Sequence, residues 1–299
     1  MKDNDLGMAL YQDIDDANSL YPIISLLFET YKSKKENNKI DLHDDKIPNL
    51  LINLYYKLRR DDVEFDIMKS KFIEHYIKNE SELELIHPKE EIDGLKEVYS
   101  FIHTTNIIKY YEDNKKSNYF VKKYTPFMLK KIHEKLYSLA PYSEYAGTFR
   151  NNDVYLPGTG TDLLDWSYIK SAVDDIDSEV MNIIAKSFDI SSSEKVEDIL
   201  DYLDECIKIK CKLIKIHPFR DGNGRTIRAF INILLERVGL PPVYICASER
   251  TEYDQAMNLA NNEGDYSLIN TFYRFKICDS IIELGINPKM NKDEKVKIR

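Results

Sequence analysis

The sequence of 299 residues has few residues of the kinds that cross-link a chain or hold a structural metal. It contains four cysteines, Cys206, Cys211, Cys246 and Cys278. They form no CxxC pair, and no Cys/His spacing is typical of a zinc site. We therefore predict buried, reduced thiols, which suits a cytoplasmic protein.

Long apolar runs are also missing. No stretch of eighteen consecutive apolar residues exists, so we expect no membrane span and no membrane partner. The first residues, "MKDNDLGMALYQDIDD", have neither a basic start nor an apolar core, so we expect no signal peptide. The predicted localisation is cytoplasmic, and export by a route without an N-terminal signal stays open.

Positive charge is in deficit. The formal net charge is −9 and the isoelectric point is near 5.3. A protein that binds a nucleic-acid backbone usually presents a basic face, so we expect no nucleic-acid partner. A small anionic ligand is still compatible with this charge, because a local cluster of donors binds phosphate even on an acidic protein.

Glycine and proline are sparse, with ten of each, which favours helices over a turn-rich β protein. Apolar residues recur at helical spacing along most of the chain. Thr125 is a candidate N-cap with Pro126 at the first helical position, and Gly239 is a candidate C-terminal cap. Residues 148–156, "TFRNNDVYL", break the helical rhythm and predict a β-hairpin. The sequence therefore predicts an all-α architecture with one small hairpin.

The stretch "HPFRDGNGRTIR" stands between two helical segments and opens the second one. At a helix start the backbone N–H groups have no intrahelical partner, and the positive end of the dipole points outward. Gly222 and Gly224 allow close approach and positive φ. Arg225 and Arg228 add fork-shaped positive groups, and Asn223 adds a neutral donor. These residues predict a cradle for polyphosphate.

Two residues of this stretch go beyond binding. Asp221 would repel phosphate unless a cation lay between them, so we interpret it as a Mg²⁺ ligand. His217 ends the preceding helix and carries a side chain that accepts a proton from a hydroxyl near neutral pH. A single histidine at a helix end is more often only a partner of the helix dipole. Base, metal and cradle together, however, predict phosphoryl or nucleotidyl transfer.

The segment "HPFRDGNGR" followed by Arg228 resembles the signature of Fic-domain proteins, HxFx(D/E)GNGRxxR, at every specified position. "TPFMLKKIHEKLY", "GTFR" and "ERTEYDQAMNLANNEGD" are similar to further family elements in the same order. The resemblance implies a Fic-type helical bundle over residues 96–285, with the hairpin as a flap. Residues 1–95 would form an N-terminal helical extension, and residues 286–299 a flexible tail.

The resemblance also implies a reaction, in which AMP passes from ATP, with Mg²⁺, to a Tyr, Thr or Ser hydroxyl of a target protein or of the enzyme itself. His217 would be the general base, and Asp221 would hold Mg²⁺ between the α- and β-phosphates. The residues implied to bind ATP are Gly222, Asn223 and Gly224 at the phosphates, Arg225 and Arg228 at the β/γ end, and Tyr253 at the adenine. The flap residues implied to bind an extended target segment by strand addition are Thr148, Val154, Tyr155 and Leu156.

Many family members carry an inhibitory helix, (S/T)xxxE(G/N), whose Glu pairs with the second arginine and displaces the γ-phosphate. In "KNESELELIHPKEE", Glu84 stands at that acid, but Glu80 replaces Ser or Thr and Leu85 replaces Gly or Asn. "SKFIE", residues 70–74, has the same spacing but is followed by His75. We assign the inhibitory glutamate to Glu84; the alternative is a solvated acid on a surface helix.

The leading hypothesis is a Mg²⁺-dependent protein adenylyltransferase. One alternative is removal of AMP, with Glu84 aligning a water. Another is a catalytically silent nucleotide-binding module, against which the intact His217 argues. The phosphate-transferring Doc type carries Lys where Gly224 stands, which disfavours it. The target protein, the choice of ATP over other nucleotides, the working of the inhibitory helix, and a homodimer or docking surface in residues 1–95 stay open.

Overall fold

The computed structural model describes residues 26–27, 29–33, 42–43, 45–58, 62–154, 163–192 and 197–282. Within these ranges the chain forms α-helices joined by short turns, and no strand. The predicted all-α architecture is therefore confirmed there. None of the helices in this part of the chain is long and apolar enough to cross a membrane. The predicted tail, residues 286–299, lies outside the described residues.

The helices are numbered here in chain order. Their bounds are α1 Lys46–Leu58, α2 Asp62–Leu83, α3 Lys89–Thr104, α4 Ile107–Ser117, α5 Tyr124–Tyr137, α6 Ile169–Ser192, α7 Glu197–Ile216, α8 Asn223–Arg237, α9 Arg250–Glu263 and α10 Ser267–Ser280. Before α1, residues 26–27 and 29–33 are also helical. Short 3-10 turns lie at Ser143–Tyr145, Trp166–Tyr168 and Ala247–Glu249.

Helix α8 lies at the centre of the bundle. It packs against α3, α5, α6 and α7, and residues 225–235 are all buried. A helix that is covered on every side marks the middle of a core, and Ile227, Phe230 and Leu234 are fully buried there. Because the neighbours hold α8 on all sides, the first turn of α8 and the connector before it have a fixed position.

Helix α2 is fastened to α3 by aromatic rings. The ring centroids of Tyr76 and Tyr99 lie 4.0 Å apart, and those of Phe72 and Tyr99 lie 5.2 Å apart. Tyr99 Oη in turn accepts a hydrogen bond of 2.7 Å from Asn232 of α8. These contacts bring the C-terminal end of α2 against the central helix. The acidic residues at that end therefore lie next to α8.

Two predicted helix ends have different outcomes. Helix α5 begins at Tyr124 with Lys123 at the N-cap position, so the predicted cap at Thr125 is wrong. The reason is a tertiary contact, since the Thr125 N–H donates to the Asp177 carboxylate of α6 at 2.6 Å. Gly239 is confirmed as the residue that ends α8. It has φ 72°, and the next N–H bonds back to the Leu235 carbonyl at 3.1 Å.

The hairpin predicted over residues 148–156 is not seen in its described part, residues 148–154. Thr148 is exposed, Val154 is half-buried, and neither belongs to a strand. The Arg150 N–H donates to the Pro218 carbonyl at 2.9 Å, so this segment bonds the connector after α7 instead of a second strand. Tyr155 and Leu156 lie outside the described residues.

Candidate active site

His217 directly follows the last residue of α7. Its N–H still donates to the Leu213 carbonyl at 3.0 Å, but its φ is 51°, in the left-handed region. A side chain other than glycine adopts this conformation at a cost, and such residues concentrate at functional sites. Burial, aided by the positive charge of Arg150, lowers the pKa of His217 to about 4. The imidazole is therefore neutral at pH 7 and able to accept a proton.

Arg150 holds the backbone around His217. Its Nε donates to the His217 carbonyl at 2.8 Å, and its Nη1 donates to the Asn152 carbonyl at 2.9 Å. Its Nη2 donates to the Leu164 carbonyl and, at 3.4 Å, to the Ile216 carbonyl. A buried cation at the C-terminal end of a helix satisfies carbonyls that have no intrahelical partner. Arg150 therefore ties the end of α7 to the segment predicted as a flap and to Leu164 beyond it.

Gly222 is the N-cap residue of α8 and has φ 70°. A Cβ there would lie 2.8 Å from the Tyr137 ring, so both conformation and space require glycine. The first helical bond joins the Thr226 N–H to the Gly222 carbonyl at 3.0 Å. The backbone amides of residues 223–225 precede that bond and have no intrahelical partner, which is the feature that the predicted anion cradle requires.

Two buried side chains shape the connector. Asn223 accepts from the Phe219 N–H and donates to the Phe219 carbonyl, both at 2.8 Å. The His133 ring stacks on Phe219 at 3.9 Å, accepts from the Gly147 N–H at 3.0 Å, and lies 3.0 Å from the Asp221 carbonyl. Because the Asn223 side chain is committed to the loop, we expect Asn223 to act on a phosphate through its backbone N–H.

Asp221 presents its carboxylate to solvent, with 74% of the side chain exposed. Oδ2 accepts from Tyr137 Oη at 2.8 Å and lies 3.4 Å from Arg225 Nη2. Although desolvation acts against it, the Arg225 charge holds the pKa of Asp221 below its usual value. Asp221 is therefore ionised, oriented by two neighbours, and accessible.

The donor set at Asp221 suits a cation that is shared with a ligand. In the part of the chain that the structure describes, no group of three His, Cys, Asp or Glu side chains stands ready to hold a metal. Mg²⁺ is commonly bound by one or two carboxylates together with waters and substrate phosphate oxygens. A single exposed, ionised carboxylate beside an anion cradle fits that pattern.

Arg225 is buried and already has partners. Nη1 lies 2.6 Å from Glu91 of α3, and Nη2 donates to Tyr137 Oη at 2.8 Å. Glu91 also accepts a hydrogen bond from Tyr142. Arg225 therefore orients Tyr137 and Asp221 at the mouth of the cradle.

Arg228 pairs with two acids from the end of α2. Its Nε and Nη2 donate to the two oxygens of Glu80, each at 2.6 Å, and Nη2 also contacts Glu84 Oε1. A Cβ on Gly224 would lie 2.8 Å from Glu84 Oε1 and 2.9 Å from Arg228 Nη1. The Glu84 carboxylate thus rests against the first turn of α8, where an anion is expected to bind.

Part of the chain is similar to a known protein family. Residues 123–235 match the profile described as the Fic/DOC family, and they span α5 to the last turn of α8. Residues 123–235 therefore belong to the Fic/DOC family. The resemblance of the "HPFRDGNGR" signature is thereby confirmed.

Curated relatives of this chain are named protein adenylyltransferase Fic. The protein of that name from Drosophila mojavensis is 36% identical over 129 residues, which cover 43% of this chain and 22% of the relative. The one from Drosophila melanogaster is 53% identical over 64 residues, which cover 21% of this chain and 12% of the relative. The matched region is therefore less than a quarter of the length of these relatives.

Solved structures share the fold. A Fic domain-containing signaling protein from Bacteroides thetaiotaomicron superposes with a TM-score of 0.56 at 14% identity, covering 86% of this chain and 93% of that one. Fic-1 from C. elegans gives a TM-score of 0.52 at 16% identity, covering 93% of this chain and 76% of that one. These similarities show the all-helical Fic-type fold.

Tyr253 lies on α9 and is buried. Its hydroxyl accepts a hydrogen bond of 2.7 Å from Lys210, whose ammonium also lies 4.5 Å from the centre of the Tyr253 ring. An ammonium only donates, so the Tyr253 hydroxyl keeps its own proton available for another acceptor. The role of Tyr253 at the adenine stays a prediction.

Several residues of the site were missed from the sequence. These residues are Glu80, Glu91, His133, Tyr137 and Arg150, and each contacts a residue of the signature stretch or its backbone. Arg150 stands in "GTFR", a segment similar to a family element, which was a usable signal. Glu91 had none, because 134 positions separate it from Arg225.

Leu85 follows α2 in a conformation that suits glycine. Its φ is 54°, its side chain is 70% exposed, and the Ile86 N–H bonds back to the Ser81 carbonyl at 2.9 Å. We expect Leu85→Gly to raise the free energy of unfolding by about 1 kcal/mol, because the left-handed strain disappears without loss of packing. Urea denaturation measures this. Leu139→Gly, at another exposed leucine without positive φ, should not stabilise; equal effects would contradict the explanation.

Proposed function

We propose that this Fic protein is a protein adenylyltransferase, which transfers AMP from ATP to a hydroxyl group of a target protein. One juxtaposition supports this above all. A half-buried imidazole that is neutral at pH 7 follows α7, and an accessible carboxylate and the free amides of α8 stand within the next eight residues. Proton acceptor, cation ligand and anion cradle are the parts that nucleotidyl transfer needs.

The reaction requires a hydroxyl oxygen to attack the α-phosphorus of ATP. His217 accepts the hydroxyl proton as the new O–P bond forms and the bond from the α-phosphorus to the bridging oxygen breaks. Pyrophosphate leaves, and AMP stays on the target. The amides of residues 223–225 and the helix dipole stabilise the negative charge of the phosphates. Asp221 would hold Mg²⁺, which supplies charge neutralisation at the phosphates when bound.

Other residues have proposed supporting roles. Gly222 and Gly224 let phosphates approach the backbone, and Arg225, which is paired with Glu91, keeps Asp221 oriented. Tyr253 would line the adenine side. Thr148, Val154, Tyr155 and Leu156 would meet the target segment, with residues 96–285 as the catalytic domain. A homodimer or docking role for residues 1–95 belongs to the same proposal.

Glu84 is the proposed brake. It contacts Arg228 at the first turn of α8, so the terminal phosphate of ATP and the Glu84 carboxylate compete for one place. Burial favours the neutral acid, but the Arg228 charge outweighs it and holds the pKa of Glu84 below its usual value. Glu84 therefore stays charged at neutral pH and repels an incoming phosphate.

Mass spectrometry of the purified chain after incubation with ATP and Mg²⁺ tests the proposal. We expect a fraction of the protein to gain the mass of one AMP, because the hydroxyl acceptor can be on the chain itself. Reversible ATP binding without any mass increase, on the chain or on proteins of a lysate, would instead support the silent binding module. Loss of AMP from an already modified protein would support the reverse reaction.

A further inference from the structure

The two acids on Arg228 are held differently. Glu80 contacts both Nε and Nη2 at 2.6 Å, and its side chain is 0% exposed. Glu84 contacts Nη2 alone, lies just past the end of α2, and is 31% exposed. A two-point contact in fork geometry is the stronger kind, and water does not compete for a fully buried pair. We therefore expect a ligand to displace Glu84 from Arg228 more easily than Glu80.

Glu80 cannot leave Arg228 without a large rearrangement. It belongs to the last turn of α2, which is fixed to α3 through Tyr76 and Tyr99. Separating the pair would leave two buried charges without partners, which is among the most destabilising changes in a core. A ligand that enters the cradle would therefore meet Arg228 with Glu80 still attached.

The net charge of the side chains around Arg228 then determines whether a terminal phosphate is attracted there. Arg228 and Glu80 cancel each other, and Glu84 makes the cluster negative. Arg225 is already paired with Glu91, and Arg250 donates to the Leu83 carbonyl at 2.7 Å. A Ser or Thr at position 80, as in the family pattern, would leave the charge of Arg228 uncancelled.

We propose that Glu80 is a specificity-determining residue that cancels the charge of Arg228 whether or not Glu84 is present. The site should then gain little affinity from the γ-phosphate of ATP, even without the proposed brake. This inference rests on the proposed function, because it assumes that nucleotide phosphates bind at the start of α8. The proposed role of Glu80 differs from that of Glu84. Glu80 would set the preference between ATP and ADP, whereas Glu84 would block the binding of the terminal phosphate.

The dissociation constants of ATP and ADP, measured by titration calorimetry with Mg²⁺, test the inference. The full chain carries His217→Ala so that ATP is not consumed. With Glu84→Gly added, we expect ATP and ADP to bind within about threefold of each other. When Glu80→Gln is added to this chain, the ratio of the ADP to the ATP dissociation constant should rise by at least about tenfold over that of the Glu84→Gly chain, because Arg228 then offers an uncancelled charge. Glu82→Gln, on the exposed side of the same helix, should leave the ratio unchanged.

Three outcomes of these titrations would contradict the inference or the proposed function. A preference for ATP of about tenfold or more with Glu84→Gly alone would overturn the inference, since Glu80 would not be cancelling Arg228. So would an unchanged ratio in the Glu80→Gln chain that still unfolds cooperatively. If that chain does not fold, Glu80→Ser replaces it, and the ratio in the Glu84→Gly chain still decides. Failure of both nucleotides to bind any variant would refute the proposed function itself.

Discussion

Replacing His217 by Ala should lower AMP transfer by about a hundredfold or more while ATP binding is retained. The imidazole is neutral at pH 7 and belongs to the connector that leads into α8, whereas the other neutral imidazole at this connector, His133, already accepts a hydrogen bond from the Gly147 N–H. The variant leaves the amides of α8, Asp221 and Arg228 in place. The mass gain after incubation with ATP measures transfer, and calorimetry measures binding. Transfer at the original rate would refute the assignment of the base.

The pH dependence of transfer gives a second readout of the same residue. An ordinary histidine loses its capacity to accept protons near pH 6.5. Burial lowers the pKa of His217 to about 4, so the neutral form persists between these two values. The rate should therefore hold as the pH falls from 7 to about 5 and decline only below that. A decline centred near pH 6.5 would show that the imidazole is not shielded from water.

The candidate site was predictable from the sequence where its residues are neighbours in the chain. His217, Asp221 and Gly222 belong to one connector, so their proximity follows from their positions alone. The anion cradle follows from glycines at a helix start. The family resemblance then added the role of each residue. What the sequence does not show is which of these groups already have partners, as Arg225 does with Glu91.

The parts that could not be predicted depend on contacts between distant segments. Glu80 and Arg228 are separated by 148 positions, and the packing of α2 on α3 and on the 3-10 turn Ala247–Glu249 brings them together. The start of α5 is displaced from Thr125 because a carboxylate of α6 reaches its N–H. In residues 148–154, β-forming side chains did not produce a strand in the structure, since Arg150 bonds the end of α7. Local propensity is overridden where a tertiary contact satisfies the backbone.

Replacing Glu84 by Gly should raise self-modification by about tenfold to a hundredfold. The pair with Arg228 is a charge-assisted hydrogen bond at a partly exposed side chain, and such bonds contribute about 1.5–3 kcal/mol. A ligand that displaces Glu84 must supply that free energy, and the variant removes the requirement. The time course of AMP incorporation into the chain at a fixed ATP concentration measures the rate.

Glu82→Gly is the matched control for this variant. It removes the same side chain two residues away, at an exposed position of the same helix end, and should leave the rate unchanged. An unchanged rate in both variants would mean that Glu84 is only a solvated acid beside Arg228. A rise in both would point to loosening of the end of α2. Only a rise confined to Glu84→Gly supports a carboxylate that competes with phosphate, because the two variants differ in their contact with Arg228.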